Sequence, residues 1–104
     1  MIEVSALTDS EGVRKGFRVS GHSGYRSAGQ DIVCSAVSVL AVNTVNSIEA
    51  FTKDTFESLA VNEEEGFFFA ELKEVSDASR LLLDSFFLGI EGICESYGKY
   101  VKIR

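Results

Sequence analysis

From residue 32 to residue 48 the chain carries no formal charge, yet its apolar side chains recur at intervals of three and four. Val33, Val37, Leu40, Ala41, Val45 and Ile48 fall on one side, which predicts a helix over 32–51. Its valines pull the other way, because β-branched residues favour strands, and the spacing decides. The opposite side, with Ser35, Ser38, Val39, Val42 and Asn46, is small and only mildly polar. A helix without a charged face is covered on most sides, and in a small domain part of that cover is expected from a second subunit. The segment also raises the question of a membrane span. Ser35, Ser38, Asn43, Thr44, Asn46 and Ser47 interrupt it, and it falls short of the about 20 apolar residues that crossing needs. A buried helix is the better reading, with no membrane as partner.

The segments around this helix read as strands and one more helix. Ile2, Val4 and Ala6 alternate with Glu3 and Ser5, the turn residues Asp9-Ser10-Glu11-Gly12 follow, and Val13, Lys15, Phe17 and Val19 alternate again. Residues 2–20 are therefore expected to form a β-hairpin, with Lys15 the one misfit on its apolar side. Residues 55–61 and 67–72 predict a second hairpin about the acidic turn 62–66. Ser76 or Asp77 caps a second helix over 77–97, whose core face is Leu82, Leu83, Phe86, Phe87, Ile90, Ile93 and Cys94. Gly89 and Gly92 each cost that helix about 1 kcal/mol relative to Ala, which points to close packing there. Residues 100–104 predict a short last strand. The order is ββαββαβ, an α+β fold with two hairpins and a short C-terminal strand in a mixed sheet with two main helices.

At 104 residues the chain is expected to be one domain, 1–104, with a single core. Its net charge of −6 argues against nucleic acid as a direct partner, since phosphate binding needs clustered Lys and Arg. A basic partner suits that charge better. Cys34 and Cys94 make neither a disulfide framework nor a zinc motif, so no metal and no cofactor is expected. The alternating start is not a secretory leader, and the reading is cytoplasmic.

The segment from Gly21 to Cys34 carries the chemistry. His22, the chain's only histidine, follows a strand directly and opens a loop with Gly21, Gly24 and Gly29. Asp31 then stands where an N-cap belongs, which puts Cys34 in the helix's first turn. There the unpaired amides and the positive end of the helix dipole favour thiolate over thiol, and the same amides suit an oxyanion. A neutral imidazole nearby is a general base for the thiol and later an acid for the leaving amine. The plain alternatives are a buried, inert cysteine and a surface histidine without a role. Asp31 has two readings, as a helix cap and as the group that orients His22, and the cap is favoured.

The glycines do not match a phosphate-binding loop, since neither the P-loop nor the dinucleotide spacing is present. A mobile flap over the cysteine is the simpler use of them. Phe67-Phe68-Phe69 and Phe86-Phe87 read mainly as core, with one or two able to line a pocket. Glu63-Glu64-Glu65 reads as a solvated turn.

Gly21-His22, followed by Gly29-x-Asp31-Ile32-Val33-Cys34-Ser35-Ala36-Val37-Ser38, closely resembles the signature of the ribosomal-processing cysteine proteases, the Prp family. Length, element order and acidic balance are similar along the whole chain. The resemblance implies that His22 and Cys34 are a catalytic dyad in a homodimeric bacterial enzyme. It also implies a substrate, the precursor of large-subunit ribosomal protein twenty-seven, whose N-terminal extension is cut after hydrophobic residues. Ser23 and Tyr25 to Ala28 fall in the variable part of the family's loop. Two other readings stand beside the protease. One is a non-enzymatic dimeric adaptor that binds a ribosomal protein tail in the same cleft, and the other is an anion-binding module at the helix N-terminus.

Overall fold

The first hairpin closes on Asp9, whose Oδ1 accepts from the amides of Glu11 and Val13 at 2.8 and 3.0 Å. It joins β1 (Ile2–Thr8) to β2 (Arg14–Ser20) in the computed structural model, which describes residues 1–22 and 31–104. Helix α1 (Ile32–Phe51) follows, then the hairpin of β3 (Phe56–Asn62) and β4 (Phe67–Leu72), helix α2 (Asp77–Tyr97) and the short β5 (Val101–Ile103). The order ββαββαβ is the one read from the sequence, and α1 and α2 have the expected bounds. The strands form one mixed sheet in the order β3-β4-β2-β1-β5, antiparallel except for the parallel β1–β5 pair.

The register sorts side chains into two faces, because paired residues share a side. Val4, Val19, Phe68 and Val61 lie in one row and Ala6, Phe17, Ala70 and Leu59 in the next. These rows face the helices, and Val4, Val19, Phe17 and Ala70 are buried in one core with Val33, Val37, Ala41, Val45 and Ile48 of α1 and Leu83, Phe86, Phe87 and Ile90 of α2. Phe17 is at its centre, stacked on Phe86 at 4.1 Å and on Phe68 at 5.5 Å. Alternation divides the three adjacent phenylalanines: of this stretch, read as mainly core with one or two at a pocket, only Phe68 joins the core. Phe68 packs against the core, while Phe67 and Phe69 stack on the other face at 6.4 Å, with the Arg18 guanidinium over Phe67.

The misfit of Lys15 has a structural cause. The β1–β2 register shifts between Leu7 and Thr8, and this irregularity turns Arg14 rather than Lys15 towards α2. Arg14 pairs with Asp84 at 3.1 Å and lies over the Phe87 ring, while Lys15 pairs with Glu71. Gly16, next in the strand, allows β2 and β4 to approach so closely that a Cβ would run into the Ala70 carbonyl.

Helix α1 buries Val33, Val37, Ala41, Thr44, Val45 and Ile48; of the stripe its spacing predicts, Leu40 is only partly buried against the core, and Thr44 is added. It is long and apolar enough by composition to cross a membrane, but this face is part of the core. Its other side is open within the single chain, with Val39 66% and Val42 47% exposed. At α2 only one of the two glycines is tightly packed. A Cβ on Gly89 would meet the Leu40 side chain at 2.8 Å, whereas Gly92 has open space.

Candidate active site

The cysteine is positioned by its helix cap. Asp31 is the N-cap of α1, in extended backbone, and its Oδ1 accepts from the amides of Val33 and Cys34 at 2.9 and 3.0 Å. The Asp31 carbonyl takes both the amide and the hydroxyl of Ser35, at 3.1 and 3.0 Å. Asp31 is 3% exposed and Cys34 is half-buried. The cap reading of Asp31 therefore matches its geometry. The accompanying expectation, that first-turn amides receive an oxyanion, is narrowed: the Val33 and Cys34 amides donate to Asp31 Oδ1 and the Ser35 amide to the Asp31 carbonyl.

The histidine is positioned by two glycines. Gly21 turns the chain out of β2 with φ +96°, in the region that favours glycine, and a Cβ there would run into the Met1 carbonyl. Gly66, at the end of the β3–β4 turn, has φ +66° and sits so close to the Gly21 carbonyl that a Cβ would collide with it. The same Cβ would stand 3.0 Å from His22 Cε1. The ring lies beside this turn, with Nε2 3.0 Å from the Glu64 carbonyl oxygen. The turn is braced internally: the Gly66 amide donates to the Glu63 carbonyl and the Glu65 amide to Asn62 Oδ1, both at 3.2 Å.

His22 and Cys34 line the same cleft, of about 340 Å³. Val37, Ser38, Ala41 and Val42 of α1 line it on one side, and Val61 and Phe68 of the second hairpin on the other. The cleft thus holds both a thiol and an imidazole, and the rest of its lining is mainly apolar, with Glu63 among it. A thiol and an imidazole sharing a cleft are the parts of nucleophilic acyl transfer. Gly24 and Gly29, read as flap residues, lie outside the described residues. Among the described residues no group of three or more His, Cys, Asp or Glu side chains has the arrangement to hold a metal ion.

The Glu64 carbonyl and Gly66 are the contributions to the site that sequence reasoning missed. A backbone carbonyl has no residue-type signature. The signal at hand was a glycine closing an acidic turn, which marks a bend and not its neighbour.

Comparison with known proteins places this geometry in context. The family model described as cysteine protease Prp matches residues 1–102. The ribosomal processing cysteine protease Prp of Bacillus subtilis (strain 168) is 27% identical over 93 residues, covering 84% of this chain and 81% of the relative. The fold is similar to that of the essential ribosomal processing protease Prp from S. aureus, solved with a covalently linked product peptide. That match has a TM-score of 0.91 at 24% identity and covers 100% of this chain and 98% of the other. A Streptococcus mutans protein of known structure is 30% identical, with a TM-score of 0.83, covering 100% of this chain and 92% of that one.

Proposed function

The chain belongs to the Prp family of cysteine proteases, and from that premise we propose that it is the endopeptidase that removes the N-terminal extension of large-subunit ribosomal protein twenty-seven during ribosome assembly, with Cys34 as nucleophile and His22 as base. The observation that carries the dyad is the shared cleft: a histidine at a strand end and a cysteine in a helix's first turn line one trough. The Cys34 thiol gives its proton to the imidazole and its sulfur adds to the peptide carbonyl carbon. The imidazolium then protonates the leaving amine as the C–N bond breaks. Water, with His22 again as base, hydrolyses the thioester and frees Cys34.

The substrate reading is supported by the composition of the trough. Val42, Val61 and Phe68 suit apolar side chains before the cut bond, and Glu63 together with a net charge of −6 favours a basic protein. A homodimer is part of the same proposal, because the open side of α1 is apolar at Ile32, Val39 and Val42. So is a cytoplasmic location, where that ribosomal protein is assembled.

The test is incubation of the chain with a peptide spanning that N-terminal extension. Cleavage is expected, and it is expected to vanish in Cys34→Ala and in His22→Ala while both variants stay folded. Undiminished cleavage by Cys34→Ala would falsify the dyad. A peptide bound but never cut would return the non-enzymatic adaptor for this substrate.

A further inference from the structure

The β3–β4 turn touches the only histidine of the chain with a group that has no proton to give. A carbonyl oxygen accepts and never donates, so the 3.0 Å approach of Glu64 O to His22 Nε2 requires the ring to carry its proton on Nε2. A neutral imidazole has a single N–H, and its remaining lone pair is then on Nδ1. We propose that the turn 62–66 is a positioning device for the base: the Glu64 carbonyl holds His22 in the Nε2–H tautomer, and Nδ1 is the nitrogen that takes the Cys34 proton. The proposal rests on the reading of Cys34 and His22 as a dyad and adds the tautomer and the group that sets it.

The surrounding contacts are those such a device requires. The turn lies close to the ring: a Cβ on Gly66 would collide with the Gly21 carbonyl and stand 3.0 Å from His22 Cε1. Two internal hydrogen bonds, Gly66 N–H to Glu63 O and Glu65 N–H to Asn62 Oδ1, brace the turn on either side of the Glu64 carbonyl. When the ring becomes imidazolium its Nε2–H goes on donating to the same carbonyl, now as a charge-assisted hydrogen bond. The proton that shuttles is the one on Nδ1: it arrives as the S–H bond breaks and leaves for the amine nitrogen.

Because His22 is the sole histidine, long-range nitrogen–proton NMR correlations of the ¹⁵N-labelled chain report this ring without overlap. The unmodified protein is expected to show a single Nε2–H tautomer wherever the ring is neutral. In Gly66→Ala the new Cβ displaces the turn, so the tautomers should mix. Cleavage should then lose about tenfold or more in kcat, the scale of a misplaced general base, with KM little changed. Should Gly66→Ala fail to fold, Asn62→Ala loosens the same turn from an exposed position and is expected to move the tautomer ratio in the same direction. An Nδ1–H ring in the unmodified protein overturns the proposal, as does a single Nε2–H tautomer that persists in whichever variant folds. Failure of the dyad itself shows up elsewhere, as cleavage that survives Cys34→Ala, and leaves the tautomer measurement readable.

Discussion

Asp31 Oδ1 and the backbone amide of Cys34 are 3.0 Å apart, and the same oxygen takes the Val33 amide at 2.9 Å. One carboxylate thus starts the helix and fixes the backbone of the residue proposed as nucleophile. Its burial, at 3% exposed, makes both bonds matter more than a surface cap would.

Substitution separates the cap from the charge. Asp31→Ala should cost about 1–2 kcal/mol in urea unfolding and lower cleavage, because Cys34 loses its anchor. Asparagine caps nearly as well as aspartate, so Asp31→Asn should retain most of the stability and most of the activity. Full stability with abolished cleavage in Asp31→Asn would instead assign the carboxylate charge to His22.

The two thiols differ in setting, and alkylation should tell them apart. Burial, with a smaller contribution from the Glu91 carboxylate, pushes the Cys94 thiol up, and its Sγ donates to the Val101 carbonyl at 3.5 Å. Cys34, by contrast, is half-buried at the start of α1 and lines the cleft that also holds His22. Iodoacetamide near neutral pH, followed by peptide mass spectrometry, should label Cys34 much faster than Cys94. Equal, slow labelling of both counts against the dyad.

What was legible in the sequence was what side-chain periodicity carries. Alternation at Ile2, Val4 and Ala6, and three-and-four spacing from Val33 to Ile48, are direct images of a sheet face and a helix stripe. Cys34, His22 and Asp31 stood out because their side chains bear the chemistry. The placement of β2 between β1 and β4 was not visible, since it depends on long-range backbone pairing. Nor was the exchange of roles between Arg14 and Lys15, which a single register shift decides. The contact between Gly66 and Gly21 is made by backbone alone and leaves no pattern in residue types.

A polar node links the end of α1 to the start of α2 and should give stability an acid limb. Asp54 Oδ2 accepts from the Ser76 hydroxyl at 2.6 Å and from its amide at 2.9 Å, while Ser76 Oγ caps α2 through the Ser79 amide. Hydrogen bonds from the Ser76 hydroxyl, then from Ser79 and the Ser76 amide, hold the Asp54 carboxyl below the usual carboxylate range. A carboxyl with a lowered folded pKa stabilises above its unfolded value, about 3.9, and that contribution disappears as pH falls through the folded value. Asp54→Ala should therefore lose about 1.5 kcal/mol at neutral pH. Its melting temperature should approach that of the unmodified chain below about pH 4. A gap that stays constant down to the lowest pH would mean that packing, not the charged hydrogen bonds, accounts for the loss.

The two glycines of α2 should respond to alanine with opposite signs. Both sit inside a helix, where alanine is favoured over glycine by about 1 kcal/mol when nothing else changes. At Gly92 nothing else does: a Cβ meets open space, so Gly92→Ala should raise stability by close to that amount. At Gly89 the Cβ would stand 2.8 Å from Leu40 Cδ1 and 3.1 Å from Cδ2, in the seam where α2 crosses α1. Leu40 must move or the helices must part, and overpacking of this kind costs about 1–3 kcal/mol, enough to cancel or reverse the helix-propensity gain. Thermal unfolding of the two single variants compares them in one experiment. A Gly89→Ala gain equal to that of Gly92→Ala would show that the α1–α2 seam has slack, and that the half-buried Leu40 is free to repack without cost.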